Sequence, residues 1–167
     1  MDLDRARVSQ PVRATLIPAE DNPGRRQTAP EQTMNRLPIV PDAMRAVPET
    51  RGYLPGLLAG GFVFVAGQVG RTPDFRVIED PAAQFAACFE NLRLVLAAAG
   101  CGFDDIVELT TFHVDMALHW PVFREVKNRY VPHARFPITA VGVTELAVPG
   151  LLLEVKAIAL APAGEGS

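Results

Sequence analysis

Hydrophobic residues along the chain change their spacing near residue 50. Before this point they follow no regular period, and seven of the fifteen prolines lie there. Beyond it they recur with the periods of strands and helices. We therefore expect residues 1–49 to be a proline-rich, poorly ordered N-terminal extension. Residues 50–162 are expected to form one domain, and residues 163–167 a short tail.

The domain begins with a predicted strand and a long predicted helix. A pair of glycines marks a turn before residues 62–65, an apolar run of residues that favour strands. Asp80 and Pro81 are suited to the N-cap and the first position of a helix. Apolar residues then recur at helical spacing until Gly100, where we expect the helix to end.

The next stretch of the pattern predicts one more helix and three more strands. Residues 106–114 alternate as a strand does, and residues 120–131 have the spacing of a second helix that stops before a proline. Two strands are predicted at residues 139–143 and 151–160, joined by a Pro-Gly turn. This order predicts an α+β fold in which both helices cover one face of a sheet.

The other face of that sheet also needs a cover. Residues 62–65 and 151–155 carry apolar side chains toward both faces. A second face of this kind is buried against another subunit more often than it is left in water. We therefore expect a homo-oligomer.

Composition and charge exclude several classes of protein. Sixteen Lys and Arg against nineteen Asp and Glu give a net charge of −3, which provides no basic surface for a phosphate backbone. No apolar run approaches the ~20 residues of a membrane helix. Two cysteines are too few for a disulfide scaffold, and no signal-like apolar stretch follows Met1. We expect a cytoplasmic protein that binds neither nucleic acid nor membrane.

Sequence motifs for common catalytic and cofactor sites are missing. There is no G-x-S-x-G, glycine-rich phosphate loop, C-x-x-C or H-E-x-x-H. The three histidines lack metal-ligand spacing. Cys88 lies among apolar helix residues and Cys101 has no basic neighbour, so neither is a convincing nucleophile. We expect no metal and no cofactor.

An acidic residue in an apolar strand is the first candidate for chemistry. Glu154 interrupts residues 151–155, and a carboxylate there must be paired, protonated or placed at a cleft. At a cleft its pKa would rise, which suits acid–base catalysis. The simpler interpretation is a solvated ion pair, because alternation places Lys156 on the same side. Tyr53 is similarly open to two interpretations, a packed aromatic residue or a ligand contact.

Three segments of the sequence together resemble the YjgF/RidA family. They are GGFVFVAGQ at residues 60–68, LAAAG followed by DIV within residues 96–107, and TAVGV with a Pro-Gly turn and LEVKAIA within residues 139–159. The resemblance spans residues 52–161. It implies a chorismate-mutase-like α+β fold, a homotrimer whose sheets form a central barrel, and small-molecule clefts between subunits.

The resemblance also implies an activity and several site residues. Deaminating members of the family hydrolyse enamines or imines to a 2-keto acid and ammonia without a cofactor. By this likeness Glu154 positions the water, and Tyr53 and Gly67 contact the substrate. Ala66 stands where a serine is common in the family. We therefore expect a small-molecule substrate or ligand.

The chain departs from the family at the arginine that binds the substrate carboxylate. The family's Pro-Ala-Arg-Thr aligns with residues 136–139, so Ile138 takes the arginine position and Thr139 follows it. A bidentate, charge-assisted contact is absent there. Arg124, on the second predicted helix, is another candidate anion partner, whereas use of Arg135 would shift the strand. A YjgH-like branch of the family, which this sequence resembles most, lacks the same arginine.

Two functions are open at this point. The first is a RidA-like hydrolase of enamines or imines, active in metabolite damage control, whose substrate scope is altered by Ile138 toward molecules without the usual carboxylate. The second is a protein that binds a small metabolite in the clefts between subunits without turning it over. Turnover that depends on Glu154 distinguishes the two.

Overall fold

A six-stranded mixed sheet forms the centre of the computed structural model, which describes residues 36–162. The strands are β1 (Leu37–Ile39), β2 (Gly56–Ala59), β3 (Phe62–Val69), β4 (Ile106–Val114), β5 (Ile138–Val143) and β6 (Leu153–Leu160). Their order across the sheet is β1-β2-β3-β6-β4-β5. The β4–β5 pair is parallel, and the other neighbouring pairs are antiparallel.

Three α-helices accompany the sheet within the described residues. They are α1 (Ala46–Arg51), α2 (Pro81–Ala98) and α3 (Met116–Tyr130). The start of α2 is as predicted, because an Asp80 side-chain oxygen accepts a hydrogen bond from the Ala83 N–H at 2.8 Å. Across residues 36–162, none of the helices combines the length and the hydropathy needed to traverse a lipid bilayer.

The hydrophobic core lies between the sheet and the two longer helices. Sheet residues that face α2 and α3 are fully or almost fully buried; they include Val63, Val65, Leu109, Val155 and Ala157. The helices contribute the matching buried side chains, among them Phe85, Phe89, Leu92, Phe123 and Val126. Each large apolar side chain buried in this way stabilises the fold by roughly 1.5–3 kcal/mol. The prediction of an α+β fold with both predicted helices on one face is confirmed.

The opposite face of the sheet is uncovered in the single chain. Phe62 and Phe64 of β3 project from it and are 39% and 43% exposed, and Leu160 at the end of β6 is 49% exposed. Val141 on β5 is 37% exposed. We refer to this surface, carrying Phe62, Phe64, Val141 and Leu160, as the open face. Its apolar character agrees with the sequence-based expectation that another subunit covers it.

The fold starts earlier than residue 50. Strand β1 pairs antiparallel with β2, and Ile39, Met44 and Val47 are buried in the core. Prolines interrupt these short elements, so no period is visible in the sequence. Residues 1–35 and 163–167 lie outside the described residues, and the predictions for that part of the extension and for the tail lie there too.

Three element starts also differ from the prediction, and the smallest difference is in β5, which begins at Ile138 rather than at residue 139. Helix α3 begins at Met116 rather than at residue 120, after Asp115 in a left-handed conformation with a φ of 48°. Strand β6 begins at Leu153 rather than at residue 151. The Leu152 N–H instead donates to the side chain of Gln84, a buried α2 residue that also donates to the carbonyl oxygens of Ile78 and Gly150.

Candidate functional site

A bulge in β3 brings Gly67 against Glu154. The pairing of β3 with β6 shifts register between Val65 and Gln68, which is the signature of a β-bulge. A Cβ added at Gly67 would overlap the Glu154 carboxylate and would lie 2.8 Å from its Cγ. Only glycine fits at this position while Glu154 keeps its place.

Glu154 is half-buried, and its environment favours the neutral acid. Burial raises the pKa of this carboxyl above its ordinary value of 4.5, and the positive charge of Arg71 opposes the rise. The four salt bridges within residues 36–162 do not include Glu154. The solvated ion pair with Lys156, preferred from the sequence alone, is therefore not formed in the structure.

The thiol nearest to this acid is not reactive. Burial, followed by the charge of Glu154, raises the pKa of the fully buried Cys88 thiol far above its ordinary value. The Cys88 Sγ donates to the Leu153 carbonyl oxygen at 3.4 Å. Cys101 is buried as well, and burial raises the pKa of its thiol. Both cysteines are protonated packing residues, as the sequence indicated.

A cavity of about 150 Å³ lies beside β3, between α1, α2 and the hairpin at residues 71–77. Tyr53 and Gly67, two of the predicted site residues, line it. Gly52, with a φ of 73°, ends α1 and turns the chain toward Tyr53. On the other wall the Asn91 side chain donates to the Val69 carbonyl oxygen at 2.9 Å and ties α2 to the end of β3.

Two further residues of the cavity wall, Arg71 and Phe75, were not singled out from the sequence. The Arg71 guanidinium carbon lies 5.5 Å from the centre of the Phe75 ring. The available signal was a cation six residues beyond the end of a predicted strand, followed by a Thr-Pro-Asp turn. That signal does not show which way the hairpin folds, so the contribution of Arg71 to the cavity becomes visible only in the structure.

Ala66 occupies the position next to Gly67 in the bulge. Its N–H donates to the Pro55 carbonyl oxygen at 3.0 Å, and its own carbonyl oxygen accepts a hydrogen bond from the Gln68 side chain at 2.9 Å. These bonds fix the backbone on which Gly67 is presented to Glu154. The structure thus groups four of the predicted site residues, Tyr53, Ala66, Gly67 and Glu154, around one stretch of β3.

The structure places Ile138 and Thr139 elsewhere, on the edge strand β5. Strands β4 and β6 separate β5 from β3, and three strand spacings amount to roughly 14 Å. Ile138 pairs with the buried Leu109, while the Thr139 carbonyl oxygen accepts a hydrogen bond from the Thr111 hydroxyl at 3.4 Å. Within one chain these two residues do not meet Tyr53 and Gly67.

The two arginines considered as substitutes lie outside the cavity beside β3. Arg124 is exposed on α3 and does not line that cavity. Arg135 lines a second cavity of about 530 Å³ together with Asp104, Tyr130 and His133. Neither arginine therefore joins Tyr53 and Gly67 within a single chain.

The buried histidine of the fold is His113 on β4, and it is a packing residue. One of its ring nitrogens, Nε2, lies 2.8 Å from the Thr111 hydroxyl, and the ring packs edge-on against Trp120 and Phe123. The other nitrogen, Nδ1, has no partner in the described part of the chain. Desolvation lowers the pKa of His113 below its ordinary value. Among residues 36–162 no three His, Cys, Asp or Glu side chains are grouped to hold a metal ion.

Fold and cavity together define a small α+β protein with an acidic residue beside a pocket of small-molecule size. The family model described as endoribonuclease L-PSP matches residues 44–161. The chain is 37% identical to the RutC family protein YjgH of Escherichia coli over 77% of its own length and 98% of that protein. It belongs to the YjgF/RidA family, as the sequence motifs predicted, and is similar to YjgH.

Solved structures agree with this assignment. The structure of YjgH matches with a TM-score of 0.71, again over 77% of this chain and 98% of that one. Rv2704 of Mycobacterium tuberculosis, a member of the YjgF/YER057c/UK114 family, is 27% identical with a TM-score of 0.65, over 76% of this chain and 100% of that chain.

A Salmonella typhimurium protein named 2-iminobutanoate/2-iminopropanoate deaminase is 29% identical in sequence, over 65% of this chain and 86% of that protein.

Proposed function

We propose that this protein is a cofactor-independent hydrolase of small imines and enamines. The observation that carries the proposal is the half-buried Glu154 carboxyl, which lies against Gly67, a residue that lines a small-molecule cavity. In the reaction, Glu154 takes a proton from water while the water oxygen adds to the imine carbon. Glu154 returns this proton to the nitrogen, which gives a carbinolamine. The carboxylate then takes the hydroxyl proton and passes it to the nitrogen as the carbon–nitrogen bond breaks, so that ammonia leaves and a carbonyl compound remains.

The environment of Glu154 suits both halves of this reaction. A carboxyl whose pKa is raised above 4.5 by burial is a stronger base than an exposed one when ionised, and it returns the proton more readily than water does. General acid–base catalysis of this kind contributes about 10²- to 10⁴-fold in rate. Tyr53 and the backbone around Ala66 and Gly67 are proposed to contact the substrate.

Two relatives support a small nitrogen-containing substrate. One is the Salmonella protein named as an iminobutanoate and iminopropanoate deaminase, at 29% identity. The other is TdcF of Escherichia coli, whose structure was solved with bound serine, at 26% identity and a TM-score of 0.61 over 66% of this chain and 88% of that one. An altered substrate scope is proposed for the present chain, because Ile138 provides no cation at the family's arginine position.

We also propose a homotrimer in the cytoplasm, with the open face buried between subunits in a central barrel. The apolar side chains of that face support an interface of this kind. Ile138 and Thr139 lie on an edge strand, so a neighbouring copy could bring them to a cavity that they do not reach within their own chain. A cleft between subunits is the arrangement expected from the family resemblance.

The test is hydrolysis of imines generated in solution from amino acids by an oxidase. Release of 2-oxo acid above the uncatalysed rate is measured for the parent protein, for Glu154→Ala and for the isosteric Glu154→Gln. We expect both variants to lose about 10²-fold or more of the catalysed rate. Equal rates for the three proteins would remove Glu154 from the mechanism.

The alternative is a metabolite-binding protein without turnover, which the missing arginine at residue 138 favours. A ligand at ~100 times its dissociation constant should stabilise such a protein by about 2.7 kcal/mol. This alternative is supported if imines, or the acids from which they derive, raise the thermal stability of the parent protein and of both Glu154 variants alike while no product forms.

A further inference from the structure

Arg71 is a cation in the cavity wall that the fold leaves without an anionic partner. It lines the cavity together with Tyr53 and Gly67. Within residues 36–162 its guanidinium group takes part in no salt bridge and no hydrogen bond. Arg76, from the same hairpin, differs in this respect because it pairs with Asp74 at 2.6 Å. The Arg71 guanidinium nevertheless lies close enough to Glu154 for its charge to act on that carboxyl.

The hairpin that carries Arg71 is built around a strained aromatic residue. Phe75 has a φ of 64°, a left-handed conformation that residues with a side chain rarely adopt because it is strained. Its N–H donates to the Thr72 carbonyl oxygen at 2.9 Å and closes the turn. The ring lies under the Arg71 guanidinium, 5.5 Å from ring centre to guanidinium carbon, and Arg51 flanks the same ring at 4.8 Å. An aromatic ring that supports a guanidinium restricts its orientation.

We propose that Arg71 binds the carboxylate of a small 2-oxo or 2-imino acid in this cavity, with the Tyr53 hydroxyl as a second polar contact. The planar guanidinium presents parallel N–H donors that match a carboxylate. Arg71 thereby supplies, from the hairpin after β3, the carboxylate contact that the family places at residue 138. On this assignment the substrates keep a carboxylate, and the altered scope proposed from Ile138 comes from where the carboxylate is held rather than from its loss.

The size of the cavity suits a short acid. A cavity of about 150 Å³ holds a molecule with roughly six non-hydrogen atoms. Pyruvate and 2-oxobutanoate, and the imines that correspond to them, have this size. Gly67 lines the same cavity and lies against the Glu154 carboxylate, so the proposal places the reacting carbon of an acid anchored at Arg71 toward the bulge.

This inference rests on the proposed function for the reaction, but the binding step is measured without turnover. Pyruvate is titrated calorimetrically into the parent protein, into Arg71→Gln and into Arg76→Gln. Arg76 is the matched control, because it lies on the same hairpin, is largely exposed and does not line the cavity. Pyruvamide, a neutral analogue of the same size, is titrated in parallel.

We expect pyruvate to bind the Arg71→Gln variant about tenfold to hundredfold more weakly than the parent, while Arg76→Gln is unchanged. Pyruvamide should show no difference between parent and Arg71→Gln. The Phe75→Gly variant, whose φ suits glycine, should fold and should also weaken pyruvate binding. Arg71→Lys should fall between parent and Arg71→Gln, because it keeps the charge and loses the fork.

Equal pyruvate affinity for the parent and Arg71→Gln, or no pyruvate binding to the parent, overturns the assignment of Arg71. Either result leaves the Glu154-dependent hydrolysis assay unaffected, so the two failures are distinguishable. Loss of pyruvate binding in Arg71→Gln together with no imine hydrolysis by the parent would support the Arg71 site and contradict the proposed hydrolase.

Discussion

Gly67 and Glu154 are held so closely that the glycine cannot carry a side chain. An added Cβ would overlap the carboxylate and lie 2.8 Å from the Glu154 Cγ. The β-bulge between Val65 and Gln68 produces this approach, since it turns the backbone of residue 67 toward β6. The position of the proposed catalytic acid is therefore set by the backbone of a neighbouring strand.

Substitution of Gly67 by alanine should displace Glu154. We expect the catalysed rate to fall about 100-fold, since misplacement of a catalytic group by about 1 Å has an effect of that order. The free energy of unfolding should fall by about 1–3 kcal/mol because of the overlap. Gly102→Ala is the control, since its added Cβ meets no atom closer than 4.0 Å and its φ is −125°. Equal effects of the two substitutions would contradict the role of this contact.

The Glu154→Gln variant should be more stable than the parent at neutral pH. The folded-state pKa of Glu154 is raised, so its contribution to stability is fully present below about pH 4.5 and is lost as the pH rises through the raised value. Urea unfolding of both proteins between pH 4 and pH 8 measures this. The stability of the variant relative to the parent should increase with pH. A difference that stays constant or decreases would show that the carboxyl is not desolvated.

His113 should make the fold sensitive to acid. Its folded-state pKa is lowered by burial, so its contribution to stability is present above the ordinary value of 6.5 and is lost as the pH falls below it. The His113→Phe variant replaces the histidine, which packs against Trp120 and Phe123, with an uncharged ring. We expect this variant to lose less stability than the parent as the pH falls from 7 to 5. His133→Gln, an exposed site, should follow the parent curve. Thermal unfolding at several pH values gives both curves, and identical slopes for parent and His113→Phe would exclude this origin of acid sensitivity.

The open face should determine the oligomeric state. Phe64→Glu places a charge among apolar side chains that a neighbouring subunit is proposed to cover, and it should shift the protein toward monomers. Leu118→Glu is a matched control on α3, where the side chain is 71% exposed and away from the sheet. Light scattering should give three times the chain mass of 18.1 kDa for the parent and for the control. A monomeric parent would contradict the proposed trimer.

Local signals in the sequence were sufficient for β3 to β6 and for the two longer helices, but they did not reveal β1, β2 or α1. Asp80 and Pro81 mark the start of α2 in the structure as they do in the pattern, and β4 has the predicted bounds of Ile106 and Val114. Glu154 was identified because a carboxylate is unusual in an apolar strand. Such features depend on spacing of a few residues, which the sequence displays directly.

Features that depend on tertiary contacts could not be predicted in this way. The cavity contribution of Arg71 depends on how a hairpin folds back toward α1 and α2. Gln84 forms hydrogen bonds with Gly150 and Leu152, which lie 66 and 68 positions further along the chain. No local pattern indicates those partners. Strand β1 is short and follows no visible period, so its place in the sheet is determined by pairing with β2 rather than by propensity.

The pH dependence of catalysis tests the role of Glu154 most directly. The quantity to measure is kcat/KM for imine hydrolysis, corrected for the uncatalysed reaction, from pH 4 to pH 8 in the parent and in Glu154→Gln. If Glu154 is the general base, the parent's kcat/KM rises with pH through a midpoint above 4.5, whereas the variant is slower by about 10²-fold or more and lacks this rise. Superimposable profiles of equal magnitude for the two proteins would show that Glu154 is not the general base.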